Sequence, residues 1–138
     1  MATRPRKPLA PEDYRLLAEF RLLLRRFLSF SEDAAEKAGL ATQRHQALLA
    51  IKGFGGKMTI GELAARLFIK PNSAVGLVDR LVSARLLRRG SDSNDRRRVV
   101  LTLTPTAEKL LEGLTAVHRE ELAALVPLLE PLLSRLKD

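Results

Sequence analysis

A change of hydrophobic period between Lys70 and Thr104 limits this chain more than any other feature. Ala74, Leu77, Val78, Leu81 and Val82 recur at three- and four-residue steps, which predicts a helix with one apolar face. A short apolar-basic run follows, Leu86-Leu87-Arg88-Arg89, and then a polar, turn-prone segment from Gly90 to Asp95. Val99, Leu101 and Leu103 next fall on alternate positions, the period of a strand. The stretch therefore reads as a helix and a β-hairpin whose far end carries Arg96, Arg97 and Arg98.

That arrangement has the shape of a duplex-DNA reader. A major groove admits one α-helix, whose first residues reach base edges. Here these are Lys70, Asn72, Ser73 and Gly76, with Arg80 one turn on; all but Gly76 can hydrogen-bond. An arginine on a neighbouring loop can enter the narrow, electronegative minor groove. Asp95 precedes Arg97 by two residues, close enough to hold that guanidinium in one pose. The competing reading of an arginine run is a solvated basic surface, and the helix-plus-hairpin setting argues against it.

The charge distribution agrees. The chain of 138 residues carries a net charge of +8, which points to a polyanionic partner. Residues 57–104 hold ten Lys/Arg against four Asp/Glu, whereas residues 105–138 hold four against six, so the positive charge gathers on the helix-hairpin unit. The absence of cysteine excludes disulfides, thiolate metal sites and thiol redox sensing. There is no apolar run of 18 residues and no apolar signal core after the first methionine, so the expectation is a cytoplasmic protein without a membrane partner.

In chain order, residues 1–10 are basic, contain two prolines and read as a flexible arm. Pro11-Glu12-Asp13 is a helix start, and residues 11–40 read as an N-terminal dimerisation helix. Its stripe of Leu16, Leu17, Phe20, Leu23, Leu24, Phe27 and Leu28 is wider than a small core needs. Ser31 to Ala38 is acidic and Ala-rich, with Gly39 suited to a helix end. Thr42 is placed to cap a second helix with Ala47, Leu48 and Ile51 inward, and Gly53-Phe54-Gly55-Gly56 then breaks it, with Phe54 expected to anchor the loop in the core. Thr59-Ile60-Gly61-Glu62 is a capping box starting a third helix. Pro71 marks the start of the fourth, which completes a helix-turn-helix. Residues 41–104 form the expected winged helix-turn-helix domain, and the fold class is mainly α with a small β-hairpin wing.

Thr104-Pro105 repeats the cap-then-proline signal and opens a leucine-heavy segment, residues 105–138. Pro127 and Pro131 are expected to break or bend it into two C-terminal dimerisation helices. Apolar surface at both ends of so small a chain predicts pairing with a second copy, with Leu16, Phe20, Leu122, Leu125, Leu129 and Leu132 as the contact residues of a homodimer. His45 reads as a partly buried structural residue or the edge of a ligand cleft, and His118 as part of a solvated helix face. Neither has a sequence partner for nucleophilic catalysis and no cluster has metal-ligand spacing, so no catalytic residue, cofactor or metal is assigned.

With these elements in place, the chain resembles the MarR family of bacterial winged-helix regulators. Thr59 to Leu67 matches the family's T-x-x-E-L-A-x-x-L, Leu77-Val78-Asp79-Arg80-Leu81 its L-V-D-R-L, and Asp92 to Arg97 with Leu103-Thr104 its D-x-x-D-R-R…L-T, and the similarity spans roughly residues 14–136. The resemblance implies a triangular homodimer whose recognition helices enter successive major grooves of a palindromic operator. By the same match, Arg97 is the minor-groove finger and Asp95 its orienter; the reading as a regulator further places Arg88, Arg96 and Arg98 on the DNA backbone. Most members repress and release DNA when a small ligand enters a cleft between dimerisation helices and winged domain. The sequence departs from the family at Gly76, where a larger base-reading residue is common, at Lys70 in place of a serine cap, and at Ala107 in place of a glycine. Two other functions compete with a sequence-specific regulator: an architectural nucleoid protein binding by charge alone, and a module that binds a partner protein.

Overall fold

The computed structural model describes residue 3 and residues 5–137. Three positions of the expected basic arm, 1, 2 and 4, and the last residue of the C-terminal segment lie outside the described residues. The elements are α1 (Pro11–Lys37), α2 (Thr42–Phe54), α3 (Ile60–Leu67), α4 (Pro71–Ser83), β1 (Leu87–Ser91), β2 (Val99–Leu103) and α5 (Pro105–Arg135). The fold is mainly α, with β1 and β2 as one antiparallel hairpin in the register Leu87↔Leu103 to Ser91↔Val99. The chain divides into two compact units, one of Met1–Phe30 with Arg119–Asp138, the other Ser31–His118.

Ser31–His118 closes around Leu48, Met58, Leu63, Leu77, Val78, Leu81 and Leu87, all fully buried. The periodic residues of the sequence supply this core: Leu63 and Ala64 from α3, and Ala74, Leu77, Val78 and Leu81 from α4. Met58, just before α3, pairs with Leu101 in an isolated bridge, its carbonyl accepting the Leu101 N–H at 2.9 Å. The hairpin is thereby tied to the start of the helix-turn-helix.

The starts of α3 and α5 are capped as expected. Thr59 Oγ1 accepts the Glu62 N–H at 3.2 Å and donates to Glu62 Oε1, and Thr104 Oγ1 accepts the Ala107 N–H at 3.2 Å. Four local expectations are corrected. Thr42 is the first helical residue rather than the cap; Ala41 holds the cap position and α2 has no side-chain cap bond. Phe54 does not enter the core: its ring is part-exposed and lies 5.6 Å under the Arg66 guanidinium, a cation–π contact. Gly90 and Ser91 belong to β1 rather than to the loop, because their backbones continue the ladder to Val100 and Val99. In β2 strict alternation fails, since Val99 is exposed while Val100 and Leu101 are both buried.

The other unit contains most of α1 and the end of α5. Leu16, Leu23 and Leu125 are buried in it, and Glu12 pairs with Arg135. Tyr14, Leu17, Leu22, Leu24 and Leu28 of α1 are exposed, as are Leu122, Val126, Leu128 and Leu133 of α5. Of the other expected dimerisation residues, Phe20, Leu129 and Leu132 are half-buried. Pro127 and Pro131 do not break α5, which runs through both as one helix of 31 residues. They stand four apart, so each missing N–H and each displaced carbonyl falls within one short stretch whose neighbours are largely solvent-exposed.

Candidate nucleic-acid interface

Helix α4 starts at Pro71, whose fixed φ suits the first turn. Lys70 holds the cap position without a side-chain bond, so the first N–H groups of α4 have no side-chain cap. The apolar face of α4 is buried and Lys70, Asn72, Ser73, Asp79 and Arg80 stand on its exposed side. Gly76 lies in the middle of that face. A Cβ added there would meet only Arg80 Nη1, at 3.4 Å, so the Arg80 side chain folds back across the glycine.

The wing is built by three short links. Asp92 is buried at its base, where Oδ1 accepts the Asn94 N–H at 3.0 Å and pairs with Lys57 Nζ at 3.2 Å. These contacts, the backbone N–H first and Lys57 next, hold the Asp92 pKa below its ordinary value. Asp95 Oδ1 accepts the Arg97 N–H at 3.0 Å, and the Asp95 carbonyl accepts the Arg98 N–H at 3.0 Å. Asp95 therefore shapes the backbone under Arg97, a tight aspartate turn, rather than gripping the guanidinium. Arg98 reaches across the surface to α3: its Nη2 donates to Glu62 Oε1 at 2.7 Å and to the Lys57 carbonyl at 3.2 Å.

Of the ten DNA-facing residues expected from the sequence, the structure therefore separates two groups. Lys70, Asn72, Ser73, Arg80, Arg88, Arg96 and Arg97 are exposed on α4, β1 and the wing tip, and Gly76 is half-exposed. Arg98 is committed to α3 and Asp95 to the turn. No ion pair within the described residues engages Arg96 or Arg97. Arg89 is paired with Asp79, which joins β1 to the exposed side of α4. Lys57 and Glu62 escaped the sequence reading as wing supports, because they lie 35 or more residues from their partners Asp92 and Arg98.

The histidines behave differently from expectation. His118 is buried, not solvated; its Nδ1 lies 2.6 Å from the Leu114 carbonyl and its Nε2 2.7 Å from Ser31 Oγ. The carbonyl can only accept, so Nδ1 carries the hydrogen. The His45 ring is 4.9 Å from that of His118, and its buried Nδ1 has no hydrogen-bond partner. Burial first, and His118 second, lower the His45 pKa from the usual 6.5. No group of three or more His, Asp or Glu among the described residues could hold a metal ion, and no helix of the described residues is long and apolar enough to cross a membrane.

Comparison with known proteins bears on this region. A sequence profile of the MarR family matches residues 38–98, from the turn between α1 and α2 to the wing. The uncharacterized HTH-type transcriptional regulator YcgE of Bacillus subtilis is 36% identical over 95 residues, covering 69% of this chain and 61% of its own. The chain spans about half the length of two further Bacillus subtilis relatives. A Staphylococcus aureus MepR mutant solved with an oligodeoxyribonucleotide superposes with a TM-score of 0.65 at 23% identity, over 90% of each chain. CouR from Rhodococcus jostii, solved with p-coumaroyl-CoA, gives 0.64 at 24% identity over 77% of each. These structural likenesses establish the fold, and the residues that match the MarR family profile, 38–98, are those of the helix-turn-helix and wing described above.

Proposed function

We propose that this chain is a double-stranded DNA-binding transcriptional regulator that acts in the cytoplasm as a homodimer on a palindromic operator, most simply as a repressor. The observation that carries the reading is the pairing of an exposed, hydrogen-bonding face on α4 with a wing whose tip presents two uncommitted arginines. Asn72, Ser73 and Arg80 read base edges, Lys70 meets phosphate, Arg97 enters the minor groove, and Arg88 and Arg96 lie on the backbone. Asp95 and Arg98 position the wing instead of touching DNA. The oligonucleotide-bound MepR mutant of the same fold supports the reading.

The homodimer belongs to the same proposal, supported by the exposed leucines of α1 and α5, which a second copy would cover. Release by a small ligand is part of it too, on the analogy of CouR solved with p-coumaroyl-CoA. No catalytic role is proposed. The rival reading, an architectural protein binding by charge, draws on the net charge of +8 and on the missing side chain of Gly76 at the centre of the α4 face.

Selection from a randomised duplex pool, with the solution mass measured alongside, tests both. An inverted repeat recovered by a dimer supports the regulator. No enrichment, with affinity falling steeply as salt rises, would replace it with the architectural reading.

A further inference from the structure

Three helices of this chain end in the same C-terminal motif, and the residue at its left-handed position differs among them. After α1 it is Gly39, φ 77°, with the Gly39 N–H donating to the Glu36 carbonyl and the Leu40 N–H to that of Ala35, both at 2.9 Å. After α4 it is Arg85, φ 60°, with the same pair of bonds to Val82 and Leu81. After α3 it is Phe68, φ 53°, ψ 41°, with bonds to Ala65 at 3.4 Å and from Ile69 to Ala64 at 3.1 Å. Glycine takes this conformation without strain, and a bulky side chain there is an outlier.

Arg85 has a structural use, since its carbonyl accepts the Thr104 hydroxyl at 2.7 Å. Beyond its own cap bonds, Phe68 has none among the described residues. Its ring is 97% exposed, so it adds nothing to the core, and it leaves apolar surface in water at a strained position. Strain kept where no internal contact rewards it points to a task for the side chain.

We propose that Phe68 is a DNA-contacting residue whose ring lies against the deoxyribose face of the duplex backbone, beside the phosphate met by Lys70. The inference rests on the DNA-binding reading and extends it to a residue outside the family motifs. Phe68 stands two residues before Lys70, the cap of α4, so their Cα atoms are at most about 7.6 Å apart. Exposed cations flank it on both sides, Arg66 and Lys70, which complements a phosphate chain. Between successive phosphates the backbone presents sugar carbons, an apolar surface that is the same for every sequence. The contact therefore adds affinity and fixes position without selecting bases.

The test uses the full chain and two unrelated duplexes, with binding followed by fluorescence anisotropy across a salt series and thermal melts run in parallel. Phe68→Gly should melt higher, because the strain is removed. It should bind both duplexes about five- to tenfold more weakly, the loss expected for uncovering one ring face. The slope of log affinity against log salt should stay unchanged, because phenylalanine releases no counterion, whereas Lys70→Ala should lower it by about one. Phe68→Asn, whose side chain tolerates the same φ, should repeat the loss. Wild-type affinity in Phe68→Gly would place the ring off the DNA and overturn the proposal while the regulator reading stands. A lower melting temperature with a matching loss of binding would make Phe68 a packing residue, which also overturns it. Failure of the unaltered chain to bind either duplex would instead remove the DNA-binding reading itself.

Discussion

The two compact units use apolar residues in opposite ways. Ser31–His118 folds its large side chains inward, and seven of them are fully buried. The unit of Met1–Phe30 and Arg119–Asp138 buries Leu16, Leu23 and Leu125 but leaves Leu17, Leu22, Leu28, Leu122 and Leu128 facing out. A helix-turn-helix with a wing offers several surfaces that meet at angles, so its leucines find partners within the chain. Two helical segments offer each other one stripe apiece, and whatever lies off that stripe stays in water. The first unit buries most of its large apolar residues; the second leaves an apolar face in water, the face that the proposed second copy would cover.

The sharpest way to break this contrast is in the core. Leu48→Ala should cost about 2–5 kcal/mol of stability, read by chemical denaturation, because its site is closed on all sides. A loss below 1 kcal/mol would mean the core is not closed. In the other unit, Leu122→Asp should leave the monomer's helix content intact while weakening self-association tenfold or more in sedimentation. A variant that keeps a dimer's mass would show that another face is covered, and a monomeric unaltered chain would remove the proposed homodimer. Next in size, Arg97→Ala should lower specific DNA affinity by about 1–3 kcal/mol, with Arg98→Ala acting instead through wing stability.

A smaller effect tests the histidine pair. The folded His45 pKa lies below 6.5, so the unfolded chain takes up the proton more readily. This contribution to stability is full above pH 6.5 and is lost as pH falls below it. His45→Phe should flatten that part of the melting-temperature profile between pH 5 and 7.5; a profile equally steep without His45 would assign the effect elsewhere. Smallest of all, Gly76→Ala should stabilise by about 0.5–1 kcal/mol, since only the flexible end of Arg80 has to yield. A loss of stability would show that Arg80 cannot move aside.

Elements with local causes were legible from residues alone. The Thr59 and Thr104 caps, the proline starts of α4 and α5, and the inward stripe of α4 follow from spacing, and the structure reproduces them. Expectations failed where a distant residue decides. Phe54 was expected inside, yet Arg66 from α3 holds its ring near the surface. His118 was expected in water, yet Ser31, 87 residues away, meets it in the interior. The wing's far end showed three equivalent arginines, and only the approach of Glu62 and Lys57 separates Arg98 from the other two.

By itself, then, the sequence determined which segments are helix and strand, where most of them start, and where positive charge gathers, because these depend on neighbours within one or two turns. Tertiary structure decided which of the charged and aromatic side chains stay available. That choice depends on contacts between residues dozens of positions apart, such as Lys57 with Asp92. It also depends on the absence of any such contact, which leaves Phe68 facing solvent on a strained turn.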